Sequence, residues 1–347
     1  MFNAKKLILA RRRRKMSAKA LAESAGLSAV HLSRLENANS EPDPATVAAL
    51  AGVLRYPEAF FYGSGEHQLQ EDAVSFRSLR RTSVAEREAA KGAGELGVDV
   101  SNWLNREFNL PAVDLPDLGY ESCPQTASRV LRQYWGLGER PIQGIIALLE
   151  AKGALVFSLA EETLNVDAFS FWLDDTPYVF LNTMKTPEHS VMDTAHELGH
   201  LVLHRPGNVL HRPDVEREAN AFGSSFMMPR EDVLGRLPRN PSVQTILSMK
   251  FRWRVSAMAL AYRAHNLGLL TDWQYRSRCI DLTQRGIERE TSRVWKQVLT
   301  HLWRERKTKQ HIADSLNLPV DEIEKLTLGL TGVQEPPSGS RPLSLVG

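Results

Sequence analysis

The run Thr194-Ala195-His196-Glu197-Leu198-Gly199-His200-Leu201-Val202-Leu203-His204 decides the reading of this chain. Thr186 as a cap and Pro187 at the first helical position predict a helix from there to about His204. Residues four apart on a helix lie only about 40° apart around its axis. His196 and His200 therefore project from one face, at a spacing that closes on one metal ion. Glu197, one step round, is placed to accept a proton from a metal-bound water. Zinc suits such a site, because a catalytic zinc takes three protein ligands, keeps one position open, and makes its water acidic near neutral pH.

A third ligand should come from a neighbouring helix. The next predicted helix, 214–228, ends before Pro229 and offers Glu216, with Glu218 as competitor, across a short loop. His204 and His211 are further ligand candidates. Asn220 shares a face with Glu216 and can orient a ligand from behind, as can Asp193 one turn before His196. Tyr178, His204 and His211 are candidate donors to a tetrahedral oxyanion.

Upstream the pattern changes. Ile142, Ile145, Ile146 and Leu149 make a helix that Gly153 ends, and Ala154-Leu155-Val156-Phe157 reads as a strand. Two more strand-like runs, 168–173 and 178–181, flank the turn Asp174-Asp175-Thr176-Pro177. Either 167–173 or 178–182 can serve as a sheet edge that takes an extended peptide.

The chain has 347 residues, 42% hydrophobic and 24% charged, with a net charge of +2. That composition suits two or three globular domains. Its apolar runs are too short to span a membrane or form a secretory leader. Two cysteines exclude a disulfide scaffold and a four-thiolate zinc site, and point to a reducing compartment. The first forty residues hold nine Lys/Arg and two acids, a net +7, leaving −5 on the remainder. A basic segment on an acidic body points to a polyanion partner for that segment. Ser17 caps one short helix there, which stops at Gly26; Ser28 caps another, and Pro42 and Pro44 introduce a fourth. Gly63-Ser64-Gly65 marks a boundary.

The expected fold class is α+β, predominantly helical. It comprises a helical DNA-binding domain at 1–63, a charged helical connector at 64–120, a zinc-peptidase-like domain with a small sheet at 121–285, and a helical region at 286–347 with a disordered tail. Within the last, 308–326 reads as a weak second helix-turn-helix or, more simply, a packing bundle. Trp253, Trp273 and Trp303 read as core or interface residues.

The histidine run and Glu216-Arg217-Glu218-Ala219-Asn220-Ala221-Phe222, continued by Phe226-Met227-Met228-Pro229, resemble the ImmA/IrrE family of zinc metallo-endopeptidases. The resemblance implies His196, His200 and Glu216 as zinc ligands and Glu197 as general base, and so decides between Glu216 and Glu218. Gly223 and Ser224 stand where members often carry alanines. Such proteins cut transcriptional repressors during mobile-element induction or stress response. Residues 1–62 resemble a Cro/repressor-type (XRE) helix-turn-helix through Leu21-Ala22, Ala25-Gly26-Leu27-Ser28 and Leu32-Ser33-Arg34-Leu35-Glu36-Asn37, with Ala38 where a glycine is usual. That register implies that Ala29, Val30, Ser33 and Arg34 face base edges, while Arg12, Lys15 and the rest of 11–15 grip phosphates. The expected protein is a bacterial or phage-encoded cytoplasmic regulator, a homodimer where it reads two half-sites, that binds operator DNA and cleaves a repressor- or antitoxin-like protein or itself. Its rival is a non-catalytic repressor or antitoxin whose zinc domain senses a signal or stabilises the fold.

Overall fold

Side-chain caps start the N-terminal helices where the sequence places them. In the structure, a computed structural model that describes residues 1–63, 83–159, 168–205, 214–282, 291–328 and 330–331, α1 (Ala4–Arg13) is followed by α2 (Ala18–Ser24) and α3 (Ala29–Glu36). The Ser17 and Ser28 hydroxyls accept from the backbone amides of Ala20 and His31. α4 (Pro44–Leu54) begins on Asp43, and a 3-10 turn at Glu58–Tyr62 closes the unit. Its core is Leu7, Leu21, Leu32, Leu35, Val47, Leu50, Phe60 and Phe61. Ala38 adopts the left-handed conformation (φ 55°) that the usual glycine would take. The chain departs from the pattern in residue but not in path.

Of the expected connector at 64–120, residues 64–82 lie outside the described residues, and the helix that follows them is packed into the core rather than solvated. α5 (Val84–Glu107) opens on a capping box at Ser83 and Glu86, and buries Ala89, Ala93, Leu96, Val100, Trp103 and Leu104. Its small residues let α1 and the sheet approach it closely, which a solvated spacer has no need of. α6 (Pro124–Tyr134) and α7 (Ile145–Ala151) lead to β1 (Leu155–Ser158), β2 (Ala168–Leu173) and β3 (Thr176–Leu181).

The sheet order is β1-β3-β2, with β1 parallel and β2 antiparallel to β3. Asp174 and Asp175 (φ 46° and 60°) form the two-residue hairpin turn between β2 and β3. β3 is therefore the central strand. The expectation that 178–182 could be an edge is corrected, and β2 alone of that pair is an edge strand among the described residues. Period-two alternation gives the sheet two different faces. Phe157, Phe169, Phe171 and Phe180 stack with Tyr178 on the α5 side, where Tyr178 Oη lies 2.7 Å from Ser101 Oγ. Ser170 and Trp172 point the other way, toward α8 (Pro187–Leu203), where the Trp172 indole donates to the Leu201 carbonyl (3.0 Å).

α9 (Val215–Met227) packs antiparallel on α8, followed by α10 (Arg230–Arg236), α11 (Val243–Trp253), α12 (Ala257–Asn266) and α13 (Asp272–Asp281). Trp253 is buried, but Trp273 is 76% exposed, so the core expectation for it is corrected. α14 (Arg293–Arg304), α15 (Lys309–Leu316) and α16 (Val320–Thr327) complete the described chain. α15 and α16 are two short helices joined by a turn at Asn317. The second helix buries Glu322, Ile323, Leu326 and Thr327, however, so it is a packing element and not a free groove reader. The tail expected to be disordered lies outside the described residues.

Candidate metal centre and nucleic-acid interface

Two consecutive helices build the metal corner. α8 starts at Pro187; the Thr186 hydroxyl lies 2.7 Å from His189 Nδ1 and does not cap the backbone. Leu198, Leu201, Val202 and Leu203 are buried and fix the rotation of α8 on the core. This turns His196 and His200 toward α9. Their Nε2 atoms lie 3.0 Å apart, and Glu216 brings Oε2 to 3.4 Å from His196 Nε2 and Oε1 to 3.6 Å from His200 Nε2. One ligand atom from each residue lies within 4.8 Å of the other two. Glu216 Oε1 is buried with no hydrogen-bond partner among the described residues. An orphaned buried carboxylate oxygen is costly, and a cation in this corner would satisfy it. Two imidazoles and a carboxylate are a donor set that fits zinc.

The flanking residues divide between the two histidines. Asn220 Oδ1 lies 3.1 Å from His196 Nδ1. Asp193 is close enough to interact electrostatically with His196, and its Oδ2 is buried without a partner among the described residues. Burial raises the Asp193 pKa, opposed by Lys185, His196 and His189. Burial alone would lower the His196 pKa; the carboxylates of Glu216 and Glu197 and the Asn220 contact outweigh it and raise it. Glu218, the rival ligand, points away from the corner, with Oε2 2.9 Å from His204 Nε2.

Glu197 is 1% exposed. Burial pushes its pKa up to about 7, against the opposing pull of His196 and the Ser170 hydrogen bond. The Ser170 hydroxyl donates to Glu197 Oε2 at 2.6 Å. Ser170 was not singled out by sequence reasoning; its signal was a lone hydroxyl inside an apolar strand, which needs a partner once buried. Of the three oxyanion candidates, Tyr178 lies on the opposite face of the sheet, bonded to Ser101, and is corrected to a core residue. His211 lies outside the described residues.

On the N-terminal module, Ala29, Val30, Ser33 and Arg34 are all exposed on α3, with Val30 63% exposed. The basic run behaves differently from expectation. Arg11 pairs with Glu36 through Nε and Nη2 (2.5 and 3.0 Å), and Arg12 pairs with Glu88 (3.1 Å). Arg13 is buried against Glu322 (2.8 Å) and donates to the Ala89 carbonyl. Arg14 reaches Asp321 (2.8 Å) and the Leu54 carbonyl. Lys15 sits half-buried in a left-handed turn (φ 53°). The phosphate grip expected of Arg11 to Arg14 is corrected to internal ion pairing, because acids on α3, α5 and α16 face these cations. Lys19, with its side chain 82% exposed, and Arg34 remain on the surface.

Residues 149–265 match the family model of the IrrE N-terminal-like domain, a peptidase (M78) family, and residues 7–61 match that of a helix-turn-helix. The chain carries a DNA-binding helix-turn-helix domain followed by an IrrE-like peptidase domain. The peptidase match spans His196, Glu197, His200 and Glu216, and the helix-turn-helix match spans all of α3. A comparison with curated proteins finds no match. No helix among the described residues is long and apolar enough to cross a membrane.

Proposed function

We propose that this chain is a DNA-binding regulator whose second domain is a zinc endopeptidase acting on a repressor- or antitoxin-like protein, or on itself. The observation that carries the reading is the convergence of His196, His200 and Glu216 from two helices on one corner, within a stretch that matches a peptidase family. These three residues would hold the metal. Bound there, zinc supplies Lewis-acid polarisation of the scissile carbonyl and of the attacking water. Glu197 takes the proton from that water and returns it to the leaving amine nitrogen. Ser170 holds Glu197 Oε2, and places the base beside the edge strand β2, where an extended peptide can add as a further strand. Ala29, Val30, Ser33 and Arg34 face the major groove, with Arg34 suited to guanine and Val30 to a thymine methyl.

The test is co-expression with the products of neighbouring genes. Glu197→Gln is expected to keep about one zinc per chain while cleavage of the partner falls by about a thousandfold or more. Wild-type cleavage in Glu197→Gln rejects Glu197 as the base. The near-complete burial of Glu197 favours a second reading, a non-catalytic repressor or antitoxin whose metal domain is a sensor or structural module. Under it, zinc binds, the operator is occupied, and no partner shortens in a Glu197-dependent way.

A further inference from the structure

His200 has two ring nitrogens with different neighbours. Nε2 faces the metal corner, 3.0 Å from His196 Nε2 and 3.6 Å from Glu216 Oε1. Nδ1 faces away, 3.0 Å from His204 Nδ1. The other nitrogen of His204, Nε2, lies 2.9 Å from Glu218 Oε2. This chain of contacts is enclosed, with the His204 side chain only 3% exposed.

Hydrogen counting orders the chain. A carboxylate only accepts, so His204 Nε2 carries the hydrogen that it donates to Glu218. The remaining nitrogen of a neutral His204, Nδ1, is then an acceptor. His200 Nδ1 is then its donor, since otherwise two lone pairs would face each other with nothing to bridge them; the Nε2 pair of His196 and His200, also 3.0 Å apart, differs in opening on the corner where a cation would bridge it. His200 Nε2 is left with its lone pair directed into the corner, and an imidazole ligates a metal only through such a lone pair. Ring partners of this kind orient metal-binding histidines and fix their tautomer.

We infer that His204 and Glu218 are positioning residues for the metal centre: Glu218 orders His204, and His204 presents His200 Nε2 as a ligand. The inference rests on the metal-ligand reading above. It gives Glu218 a role other than rival ligand, and His204 a role other than oxyanion donor. It also makes the two histidines parallel in design, His196 being served by Asn220 and His200 by His204.

The experiment measures zinc affinity of the full chain by competition with a chelator, together with nitrogen-15 NMR of the histidine rings in the metal-free protein. His204→Phe is expected to weaken zinc binding by about 10–100-fold, beyond any loss of stability of the metal-free chain read from its melting temperature. His204→Gln, whose side-chain carbonyl accepts from His200 Nδ1, is expected to bind close to wild type. Should His204→Phe fail to fold, Glu218→Ala and the NMR tautomer of His200 in the unaltered chain decide the matter. Wild-type zinc affinity in His204→Phe or Glu218→Ala, or a His200 ring protonated on Nε2, overturns the inference alone. A wild-type chain that takes up no zinc overturns the metal-centre reading and this inference together.

Discussion

Glu197 shows how much one residue's environment decides. Its neighbours on the helix were readable, but its burial was not. A carboxyl taken out of water holds its proton more tightly, and here the pKa rises from 4.5 to about 7. A raised carboxyl pKa means that the folded metal-free chain binds this proton better than the unfolded chain does. The associated stability is present below about pH 4.5 and is lost as pH rises through about 7. In the metal-free protein, Glu197→Gln is therefore expected to gain stability relative to wild type across that window, levelling off at about 3 kcal/mol. Denaturant unfolding of both chains over a pH series checks this, and parallel stability profiles refute it.

At the scale of elements, the metal corner depends on how closely α8 and α9 approach. A Cβ added at Gly199 would lie 3.1 Å from Ala219 Cα, and one added at Gly223 would lie 3.0 Å from the Ala195 carbonyl carbon and the His196 amide. The two helices touch backbone to backbone, and that contact sets the reach of Glu216 toward the histidines. Gly223→Val is expected to destabilise the chain by about 1–3 kcal/mol through overpacking. It is also expected to weaken zinc binding, because α9 must move away from α8. Thermal unfolding and chelator competition measure the two effects, and unchanged zinc affinity would show that Glu216 does not depend on this contact. Both helices were legible in sequence from Pro187, from the apolar Leu198 to Leu203 face and from the stop at Pro229. Their separation was not, because spacing along a chain carries no interhelical distance.

On the scale of the whole molecule, the N-terminal module is joined to the body by charge. Lys6 reaches Asp99 on α5 (2.6 Å), and Arg13 and Glu322 are paired with side chains 2% and 0% exposed. Tyr56 donates to Glu322 Oε1 (3.0 Å). Removing one partner of a buried pair leaves the other charge uncompensated. Glu322→Ala is thus expected to cost about 3–5 kcal/mol, read by denaturant unfolding, although position 322 lies far from α1 in sequence. The same pairing separates two groups of cations. Neutralising exposed Lys19 is expected to lower the salt slope of duplex binding by about one, and neutralising Arg34 to relax specificity at its base, whereas neutralising Arg13 should change folding stability and leave the slope alone. An equal slope change for Arg13 would mean that the internal pairs open on DNA.

The sequence by itself determined the caps at Ser17 and Ser28, the three strands, the paired histidines with their adjacent glutamate, and the exposed face of α3. Each is written in a local period or a local spacing, and short-range geometry follows from both. Only the tertiary structure decided that β3 is central, that α5 is core, that Ser170 touches Glu197 and that Glu218 serves His204. Those outcomes depend on which surfaces meet, and the partners are brought together by burial across large separations in the chain. The basic run at 11–14 is the clearest case. Its charge was visible at once, but its partners Glu36, Glu88, Asp321 and Glu322 were not. A cation is free for DNA only if folding has not already buried it against an acid.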